Sequence, residues 1–522
     1  MSKEKKTRNT TVSQHISSLR IDLHDEAAQK KSNTHLHAQV ITSEKKQKKH
    51  HHATQKQYKH PRKSSLDAPR RVAFECIRSV HNDDAYANLL LPKLIKKAHL
   101  QRRDAAFATN LTYGTLRMQG RWDAIIALCL DNRALSDIDP KAHDILRLGA
   151  HQLLDMRTPA HAAINETVKL AREETSQSIS GFVNAILRKI SQKTLDEWHD
   201  IIKETSLTRT HYLSSWYSHP QWIVKELENS LACNGRNEKD IEKLLQSHNE
   251  PAHTALVPRT ITQSELEKKI LAAHMSSEKG IFMKNSVLLT SGAPGRLWAI
   301  QDGEVGVQDE GSQLISSMFA HYHIDGKDDA WLDMCAGPGG KTATIASLSS
   351  EKTTIFANEP FEHRLKLVEE NIQPWASRVL LRCGDGRELG KSDENSFDRI
   401  LVDAPCTGLG ALRRRPESRW RKTPHDIKAL TQLQWELLDS AFHALRPGGL
   451  LIYSTCSPVV SETHDIVHRL LTTYSHAYMF DTSDIAEKEC AFSFESGKTV
   501  QLWSDLHHTD GMFIVAIGKR ES

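Results

Sequence analysis

Apolar residues in the first regular part of the chain recur with the period of an α-helix. Val72, Cys76, Ile77 and Val80 occupy positions i, i+4, i+5 and i+8, which places them on one face of a helix. Similar apolar faces follow further along, and no stretch of this part alternates apolar and polar residues as a half-buried strand does. The pattern predicts an all-α domain over residues 67–200.

The pattern changes in the C-terminal third, where short apolar segments alternate with amphipathic stretches. The apolar segments predict five buried strands, at residues 330–334, 354–357, 379–381, 397–402 and 450–453. Strands that alternate with helices are typical of a doubly wound α/β sheet, so we predict a Rossmann-like domain over residues 326–519. Residues 201–325 are less regular, and we predict a connector with a small α+β region there.

The first 66 residues follow neither pattern. They are rich in Lys, Ser, Thr, Gln and His and poor in aromatic residues, so they lack the apolar surface that would offset the entropy of ordering. We therefore predict a disordered basic tail over residues 1–66. Its Lys48–His52 run could bind metal or RNA, but three histidines without partners are weak evidence, and a solvated polybasic tail is the favoured interpretation.

Charge is distributed unevenly between this tail and the rest of the chain. Residues 1–65 contain 15 Lys or Arg against 5 Asp or Glu, whereas the remainder contains 54 basic and 60 acidic residues. Attraction to a polyanion would therefore come from the tail and from local patches rather than from the whole surface.

Several classes of protein are disfavoured by composition. The charged start leads into no apolar stretch, which argues against a secretory signal, and no apolar run approaches the roughly 18 residues of a membrane span. The eight cysteines include no Cys-x-x-Cys pair, so neither a zinc ribbon nor a disulfide framework is expected. We expect a reduced cytoplasmic protein with no metal site.

A glycine-rich turn joins the first predicted strand of the C-terminal domain to a helix. Cys335-Ala-Gly-Pro-Gly-Gly-Lys341 lets a ligand approach the backbone, and the helix N-terminus favours its anionic part. Glu359 lies 20 residues beyond Gly339, where nucleotide-binding folds place an acidic residue on ribose hydroxyls. Asp385, after the third strand, would by itself be a turn residue, but three such loops in succession favour a cofactor crevice. A dinucleotide oxidoreductase is the alternative, although its turn would read G-x-G-x-x-G.

Two cysteines follow the last two predicted strands. Asp403-Ala-Pro-Cys406 ends the fourth strand, and Ser454-Thr-Cys456 ends the fifth. If these strands are neighbours, spaced by about 5 Å, both thiols project into one crevice beside the cofactor. A lone strand-end cysteine is usually a buried filler, but two at the ligand edge, one of them near an Asp, indicate chemistry.

Four segments of the helical part resemble a NusB-type RNA-binding bundle. They are Arg70–Glu75, Phe107–Arg117, His161–Val168 and Gly181–Arg188. Taken alone, these helices would be generic core, so the RNA-binding function comes only from the resemblance. No individual RNA contact is assigned from it.

Four further segments resemble the RsmB/Sun (NOL1/NOP2/Sun) family of bacterial rRNA cytosine-C5 methyltransferases. They are Asp333–Thr342, Asp403–Cys406, Ser454–Ser457 and Thr509–Phe513. The resemblance runs from about residue 68 to the end of the chain. It implies S-adenosylmethionine-dependent methylation of C5 of a cytosine in 16S (small-subunit) rRNA, through a covalent cysteine adduct at C6.

The resemblance also implies a role for each candidate residue. Cys456 attacks the base, Cys406 assists release of the product, and Asp403 handles the base. The S-adenosylmethionine site is lined by the glycine loop and by acidic residues that follow the strands. These residues are Cys335, Ala336, Gly337, Pro338, Gly339, Gly340, Lys341, Glu359, Asp385 and Asp403.

The chain departs from the family pattern in two places. The family often has Asp where Glu359 stands, although Glu can also accept hydrogen bonds from ribose hydroxyls. Ser461-Glu-Thr-His464 stands where Glu-Glu-Asn is frequent, so no role is assigned to this stretch.

A basic segment, residues 413–422, follows Cys406. It combines cations suited to phosphates with a Trp that can stack on an unpaired base. A solvated charged loop is the alternative, but beside a base-modifying site we predict RNA contacts. The residues concerned are Arg413, Arg414, Arg415, Arg419, Trp420, Arg421 and Lys422.

Two other functions remain open. A tRNA cytosine-C5 methyltransferase would carry the same catalytic motifs, and a non-catalytic RNA-binding or antitermination factor could be built on the NusB-like domain. The intact cysteine pair and cofactor loops argue against the second. We expect S-adenosylmethionine as cofactor, 16S rRNA or a small-subunit precursor as partner, no membrane, and a monomer.

Overall fold

The computed structural model describes residues 67–131 and 133–521. The basic tail predicted for residues 1–66, with its Lys48–His52 run, lies outside the described residues. Among the helices that are described, none is long and apolar enough to cross a membrane.

The described residues up to 247 form a helical bundle and contain no strand. Val72, Cys76, Ile77 and Val80, the apolar face read from the sequence, are all buried in its core. The predicted all-α character is confirmed for this part. The helices are α1 (Ala68–Asn82), α2 (Ala87–Lys97), α3 (Arg102–Arg117), α4 (Gln119–Cys129), α5 (Pro140–Leu154), α6 (Ala160–Glu174), α7 (Gln177–Ile190), α8 (Leu195–Thr205), α9 (Arg209–Trp216), α10 (Gln221–Cys233) and α11 (Asp240–Ser247).

Local sequence explains where these helices start. The Asp139 side chain accepts a hydrogen bond from the N–H of Ala142 at 3.0 Å, and Pro140 occupies the first turn of α5. Thr194 and Glu197 form a capping box at the start of α8. Each cap satisfies backbone donors that the helix itself leaves without a partner.

A small antiparallel sheet follows, with strand order β2-β3-β1-β4. Its strands are β1 (Thr254–Pro258), β2 (Ser276–Lys279), β3 (Val287–Ser291) and β4 (Val305–Val307), with helices α12 (Gln263–Ala272) and α13 (Trp298–Gln301). Leu256 and Val287 from the sheet pack on Leu266 and Ile270 of α12. The end of β4 leads directly into the cavity described below.

An eight-stranded sheet forms the C-terminal part, with order β10-β12-β9-β8-β5-β6-β7 and β11 paired to β12. The strands are β5 (Ala330–Asp333), β6 (Thr354–Asn358), β7 (Val379–Arg382), β8 (Phe397–Asp403), β9 (Leu445–Thr455), β10 (Ala477–Met479), β11 (Thr499–Gln501) and β12 (Phe513–Lys519). Strands β5 to β9 pair in parallel, and β12 pairs antiparallel with β9. The five predicted strands and the parallel arrangement are confirmed.

Helices cover both faces of this sheet, as expected for a parallel sheet whose strands are apolar on both sides. One face packs against α14 (Glu310–His321), α15 (Gly340–Leu348), α16 (Glu362–Asn371) and α21 (Thr482–Glu489). The other packs against α17 (Leu389–Ser392), α19 (Pro424–Ala444) and α20 (His464–Thr473). Two further short helices are α18 (Ser418–Arg421) and α22 (Ser504–His507). The result is a doubly wound α/β domain with its ligand edge at the carboxyl ends of β5 to β9.

Candidate active site

The carboxyl ends of β8 and β9 carry the two predicted reactive cysteines. The two strands pair in parallel, and their register sets Asp403 opposite Ser454. Cys406 and Cys456 therefore leave the sheet at the same level, and their Sγ atoms are 3.4 Å apart. Both side chains are partly exposed. The condition that these two strands are neighbours is met, so the two thiols lie next to each other at the carboxyl edge of the sheet.

The two thiols differ in their surroundings. The pKa of Cys406 is raised well above its ordinary value by its hydrogen bond with Cys456, by burial, and by the charges of Cys456 and Glu462. Cys406 therefore keeps its proton at neutral pH. Its S–H can donate to the Cys456 sulfur, which lies 3.4 Å away. Only the thiolate form of a cysteine is strongly nucleophilic.

A lysine from the glycine loop reaches the loop that carries Cys406. The Nζ atom of Lys341 donates a hydrogen bond to Oδ2 of Asp403 at 2.7 Å, and the hydroxyl of Ser454 donates to Oδ1 at 3.2 Å. Burial alone would lower the pKa of Lys341, but the Asp403 carboxylate raises it above its ordinary value. Lys341 is therefore a cation held beside the cysteine pair.

A cavity of about 320 Å³ opens between the glycine loop and the end of β4. This volume lies at the lower end of the range for small-molecule sites. Seven residues predicted for the cofactor site line it, namely Cys335, Ala336, Gly337, Pro338, Gly340, Lys341 and Asp403. The remaining wall comes from Ala255, Val307, Gln308, Asp309, Ser312, Asp333, Arg414 and Asp510.

Two of the three glycines of the loop are required by close approaches of neighbouring atoms. A Cβ on Gly337 would lie 2.2 Å from Oε2 of Glu359. Gly339 has φ +104°, and a Cβ there would lie 2.8 Å from Cα of Val368. The loop can therefore pass close to both the strand end and α16 only because these positions carry no side chain.

Asp333, at the end of β5, is buried beneath the glycine loop and also lines the cavity. Its Oδ2 accepts a hydrogen bond from the Thr342 hydroxyl at 2.7 Å, whereas its Oδ1 has no partner among the described residues. Burial and the nearby Asp403 charge raise the pKa of Asp333 to about 6. An unpartnered buried carboxylate oxygen at a cavity wall suits a cationic ligand group.

Two known families match this chain. The family described as 16S rRNA methyltransferase RsmB/F matches residues 324–518, and the NusB family matches residues 67–192. A Mycobacterium tuberculosis protein named as a methyltransferase is 41% identical, over 88% of this chain and 98% of that protein. A Bacillus subtilis protein named "Probable ribosomal RNA small subunit methyltransferase B" is 30% identical, over 86% of this chain and 98% of that protein. The chain belongs to the RsmB/F family.

Membership of the RsmB/F family makes the chain an S-adenosylmethionine-dependent methyltransferase, as the motifs predicted. The predicted resemblance of its helical part to NusB is likewise confirmed. A crystal structure of the protein PH0851 shares the fold with a TM-score of 0.71 at 21% identity, covering 87% of this chain and 98% of that one.

Glu359, predicted for the ribose hydroxyls, and Asp385, predicted to line the cofactor site, lie in different settings in this RsmB/F-family chain. Glu359 is buried against the glycine loop, accepts a hydrogen bond from the N–H of Phe361 at 3.2 Å, and lies 3.4 Å from Arg364. Asp385 is partly exposed and pairs with Arg387, and this hydrogen bond lowers the pKa of Asp385. Neither residue lines the cavity, but Glu359 contacts the loop that does.

Two arginines of the basic segment form ion pairs within this RsmB/F-family chain. Arg413 is buried, and its guanidinium lies 3.2 Å from Asp309 and 2.9 Å from Asp510. Arg414 pairs with the same two carboxylates and lines the cavity. The Arg413 cation is thus paired with two buried acids, and its contact with RNA stays a prediction. The same is true of Arg414.

Arg419 is also buried, and its hydrogen bonds connect the basic segment to the helical part of the chain. Its guanidinium donates at 2.7 to 3.0 Å to three backbone oxygens and one side-chain oxygen, those of Arg117, Ser218, His248 and Asn249. These acceptors lie at the end of α3 and in loops around α10 and α11. All four hydrogen bonds of Arg419 serve internal packing, and its contact with RNA stays a prediction.

The other residues of the basic segment retain some exposure. Arg415 is exposed and faces the ring of Tyr86, and Arg421 lies 4.8 Å from the centre of the same ring. Trp420 is 38% exposed, and Lys422 is half-buried. For these four residues the RNA contact stays a prediction.

The sequence analysis missed two residues of the site, because their hydrogen-bond partners lie far away in the chain. Asp510 lies within the Thr509–Phe513 motif, but nothing in that motif indicated its pairing with Asp309, 201 positions earlier in the chain. Glu462 falls in the stretch to which no role was assigned, yet it is fully buried next to both cysteine loops. A buried Glu is itself an unusual feature that calls for a partner.

Proposed function

We propose that this RsmB/F-family chain methylates C5 of a cytosine in 16S rRNA, with Cys456 as nucleophile and Cys406 as the residue that assists release. The observation that carries the proposal is the 3.4 Å separation of the two thiols at the ligand edge of the sheet. The name of the Bacillus subtilis relative supports small-subunit rRNA as the substrate.

Covalent attack activates a carbon that is otherwise a poor nucleophile. A bond between the Cys456 sulfur and C6 moves the electron pair of the C5=C6 double bond towards C5, which can then take up a methyl group. We place the base against Asp403, whose hydrogen bond with Lys341 keeps a proton within reach of N3. The base must leave its stack to present C6 to the thiol.

Release requires removal of the proton on C5. The electron pair of that C–H bond re-forms the C5=C6 bond and expels Cys456 as a thiolate. Cys406 is suited to accept this proton, because a thiol with a raised pKa is a strong base once its own proton has passed to solvent. With Cys456 bonded to C6, a second sulfur only 3.4 Å away can reach the adjacent C5.

S-adenosylmethionine, when bound, supplies the methyl group from its sulfonium. We assign its site to the cavity lined by Cys335, Lys341 and their loop, with Asp403 at the reacting end. The unpartnered Oδ1 of Asp333 suits the ammonium of the ligand. Glu359, against Gly337, is the acidic residue best placed for the ribose hydroxyls, whereas Asp385 is held at the rim by Arg387.

Binding of S-adenosylmethionine should weaken as the pH falls through 6. The pKa of Asp333 is about 6, so its carboxylate is ionised above that pH and protonated below it. Only the ionised form attracts an ammonium, so we expect the dissociation constant to rise roughly tenfold per pH unit below 6. Calorimetric titration from about pH 5 to 8 measures this. Asp333→Asn should bind more weakly at high pH and lose the pH dependence; a wild-type affinity that is constant across the range would contradict the assignment.

Transfer of radiolabelled methyl groups to purified RNAs tests the substrate. We expect label in small-subunit rRNA and none in tRNA. Label in tRNA alone would point to a tRNA methyltransferase. Label in neither RNA, with the cofactor bound, would point to a non-catalytic RNA-binding factor.

We also propose a separate role for each part of the chain. Residues 67–200 and 201–325 bind RNA, and residues 326–519 carry out catalysis, in a monomer that acts in the cytoplasm. The NusB family match supports the first part of this division. The hydrogen bonds of Arg419 hold the helical bundle against the segment that follows Cys406.

A further inference from the structure

Glu462 is a fully buried carboxylate that contacts both cysteine-bearing loops. Its Oε1 accepts a hydrogen bond from the backbone N–H of Thr407 at 2.8 Å. Its Oε2 accepts hydrogen bonds from the hydroxyls of Thr407 and Ser457, each at 2.5 Å. Thr407 directly follows Cys406, and Ser457 directly follows Cys456. One side chain therefore fixes the two loops that set the distance between the sulfurs.

Further donors surround this carboxylate. The side-chain amide of Gln434, from α19, donates to Oε1 of Glu462 at 3.1 Å and to the backbone oxygen of Pro405 at 2.9 Å. The Tyr453 hydroxyl donates to the backbone oxygen of Glu462 at 2.8 Å. A buried carboxylate is tolerated when donors surround it in this way. Its position is therefore fixed from both strands and from α19.

Two charges act unequally on the two thiols. Together with the Cys456 hydrogen bond and burial, the Glu462 charge raises the pKa of Cys406. Burial lowers the pKa of Lys341, whereas the charges of Asp403 and Cys456 raise it. Lys341 is therefore close enough to Cys456 for the two groups to interact. The other ionisable groups close to the pair are Asp403, Cys335 and Tyr453.

We propose that Glu462 is a positioning residue that directs the nucleophilic role to Cys456, by fixing the two loops and by keeping the proton on Cys406. The carboxylate is buried behind the thiols and acts through them. This inference rests on the two-thiol chemistry of the proposed function and explains why two neighbouring cysteines do not exchange roles.

Alkylation of the free enzyme tests the proposal without turnover. Iodoacetamide reacts with thiolates, so peptide mass spectrometry after a brief treatment reports which thiol has lost its proton. We expect Cys456 to react at least about tenfold faster than Cys406 in the wild type, and the two rates to lie within about threefold in Glu462→Gln. Because the assay needs no RNA, its failure is distinguishable from a failure of the proposed methylation.

Methylation kinetics give a second readout for Glu462→Gln. We expect kcat to fall by about 10- to 100-fold while KM for RNA changes by less than about twofold. The acid limb of the pH–rate profile should move to lower pH, because Cys406 must lose its proton to act as the base and loss of the carboxylate charge lowers its pKa. A purely structural defect would lower kcat without moving this limb.

Control variants separate charge from packing. Ser457→Ala removes the hydrogen bonds of one hydroxyl with Glu462, Thr407 and the N–H of Val459 but keeps the charge, so its alkylation ratio should lie closer to that of the wild type than the ratio of Glu462→Gln does. Glu489→Gln removes a carboxylate that pairs with His321 away from the site, and should match the wild type in every assay. If Glu462→Gln fails to fold, Glu462→Asp replaces it and should keep the wild-type ratio. A wild-type ratio in folded Glu462→Gln, or equal rates in Glu462→Asp, would overturn the proposal.

Discussion

Cys456→Ala should abolish methylation, whereas Cys406→Ala should leave the enzyme attached to its RNA. Without Cys456 no bond to C6 can form, and we expect kcat to fall by at least about 10³-fold. Without Cys406 the adduct still forms, but the C5 proton is removed slowly, so the covalent complex accumulates. Label transfer measures the first effect, and denaturing gels that separate free protein from RNA-bound protein measure the second.

A matched control is available within the chain. Cys383→Ala changes an exposed free cysteine outside the cavity wall, so its activity and its gel pattern should match the wild type. All three variants should bind S-adenosylmethionine, because none of these thiols lines the cavity. An adduct that accumulates in Cys456→Ala, with neither turnover nor adduct in Cys406→Ala, would reverse the two roles.

Arg419→Ala should destabilise the protein strongly. The substitution leaves two buried and two partly buried oxygen acceptors without this donor and opens a cavity between the basic segment and the bundle. Each buried acceptor without a partner costs about 1–3 kcal/mol, and with partial relaxation we expect a total loss of roughly 3–5 kcal/mol. A thermal melt should show Tm lower by about 10 °C.

Arg415→Ala is the control for this effect. Arg415 belongs to the same segment but is exposed, so its loss should cost less than about 1 kcal/mol and leave Tm almost unchanged. RNA affinity separates the two interpretations of the segment. If Arg419→Ala melted like the wild type but bound RNA more weakly, Arg419 would be an RNA contact after all.

The catalytic edge could be predicted because it depends on local patterns. One short apolar strand ends in Asp403, and another ends at Thr455. If these two strands are parallel neighbours, the cysteines that follow them lie close together. The glycine loop could be predicted from its own residues, although the atoms that Gly337 and Gly339 approach belong to the next strand–helix unit, at Glu359 and Val368. Alternation of strands and helices was enough to predict a parallel sheet.

The basic segment shows where local patterns fail. The cations of Arg413 and Arg419 look available in the sequence, but their partners lie far away in the chain. The Asp510 that pairs with Arg413 is 97 positions away, and the Ser218 oxygen that accepts from Arg419 is 201 positions away. Composition describes how many charges a segment carries, and the fold decides which of them face solvent.

Glu462 was missed for a related reason. Its role depends on hydrogen bonds to Thr407 and Gln434, 55 and 28 positions away, which no spacing rule links to it. Asp385 illustrates the opposite case. Its position after a strand was read correctly, but the neighbouring Arg387 engages the carboxylate that was expected to face the cofactor.

The most direct test of the central claim is to identify the residue that is bonded to RNA in Cys406→Ala. The trapped complex is digested with nuclease and protease, and the peptide that carries a nucleotide is sequenced by mass spectrometry. The account predicts that this peptide contains Cys456, bonded through its sulfur to a cytosine of small-subunit rRNA. Attachment through any other residue, or turnover of Cys406→Ala without an adduct, would contradict it.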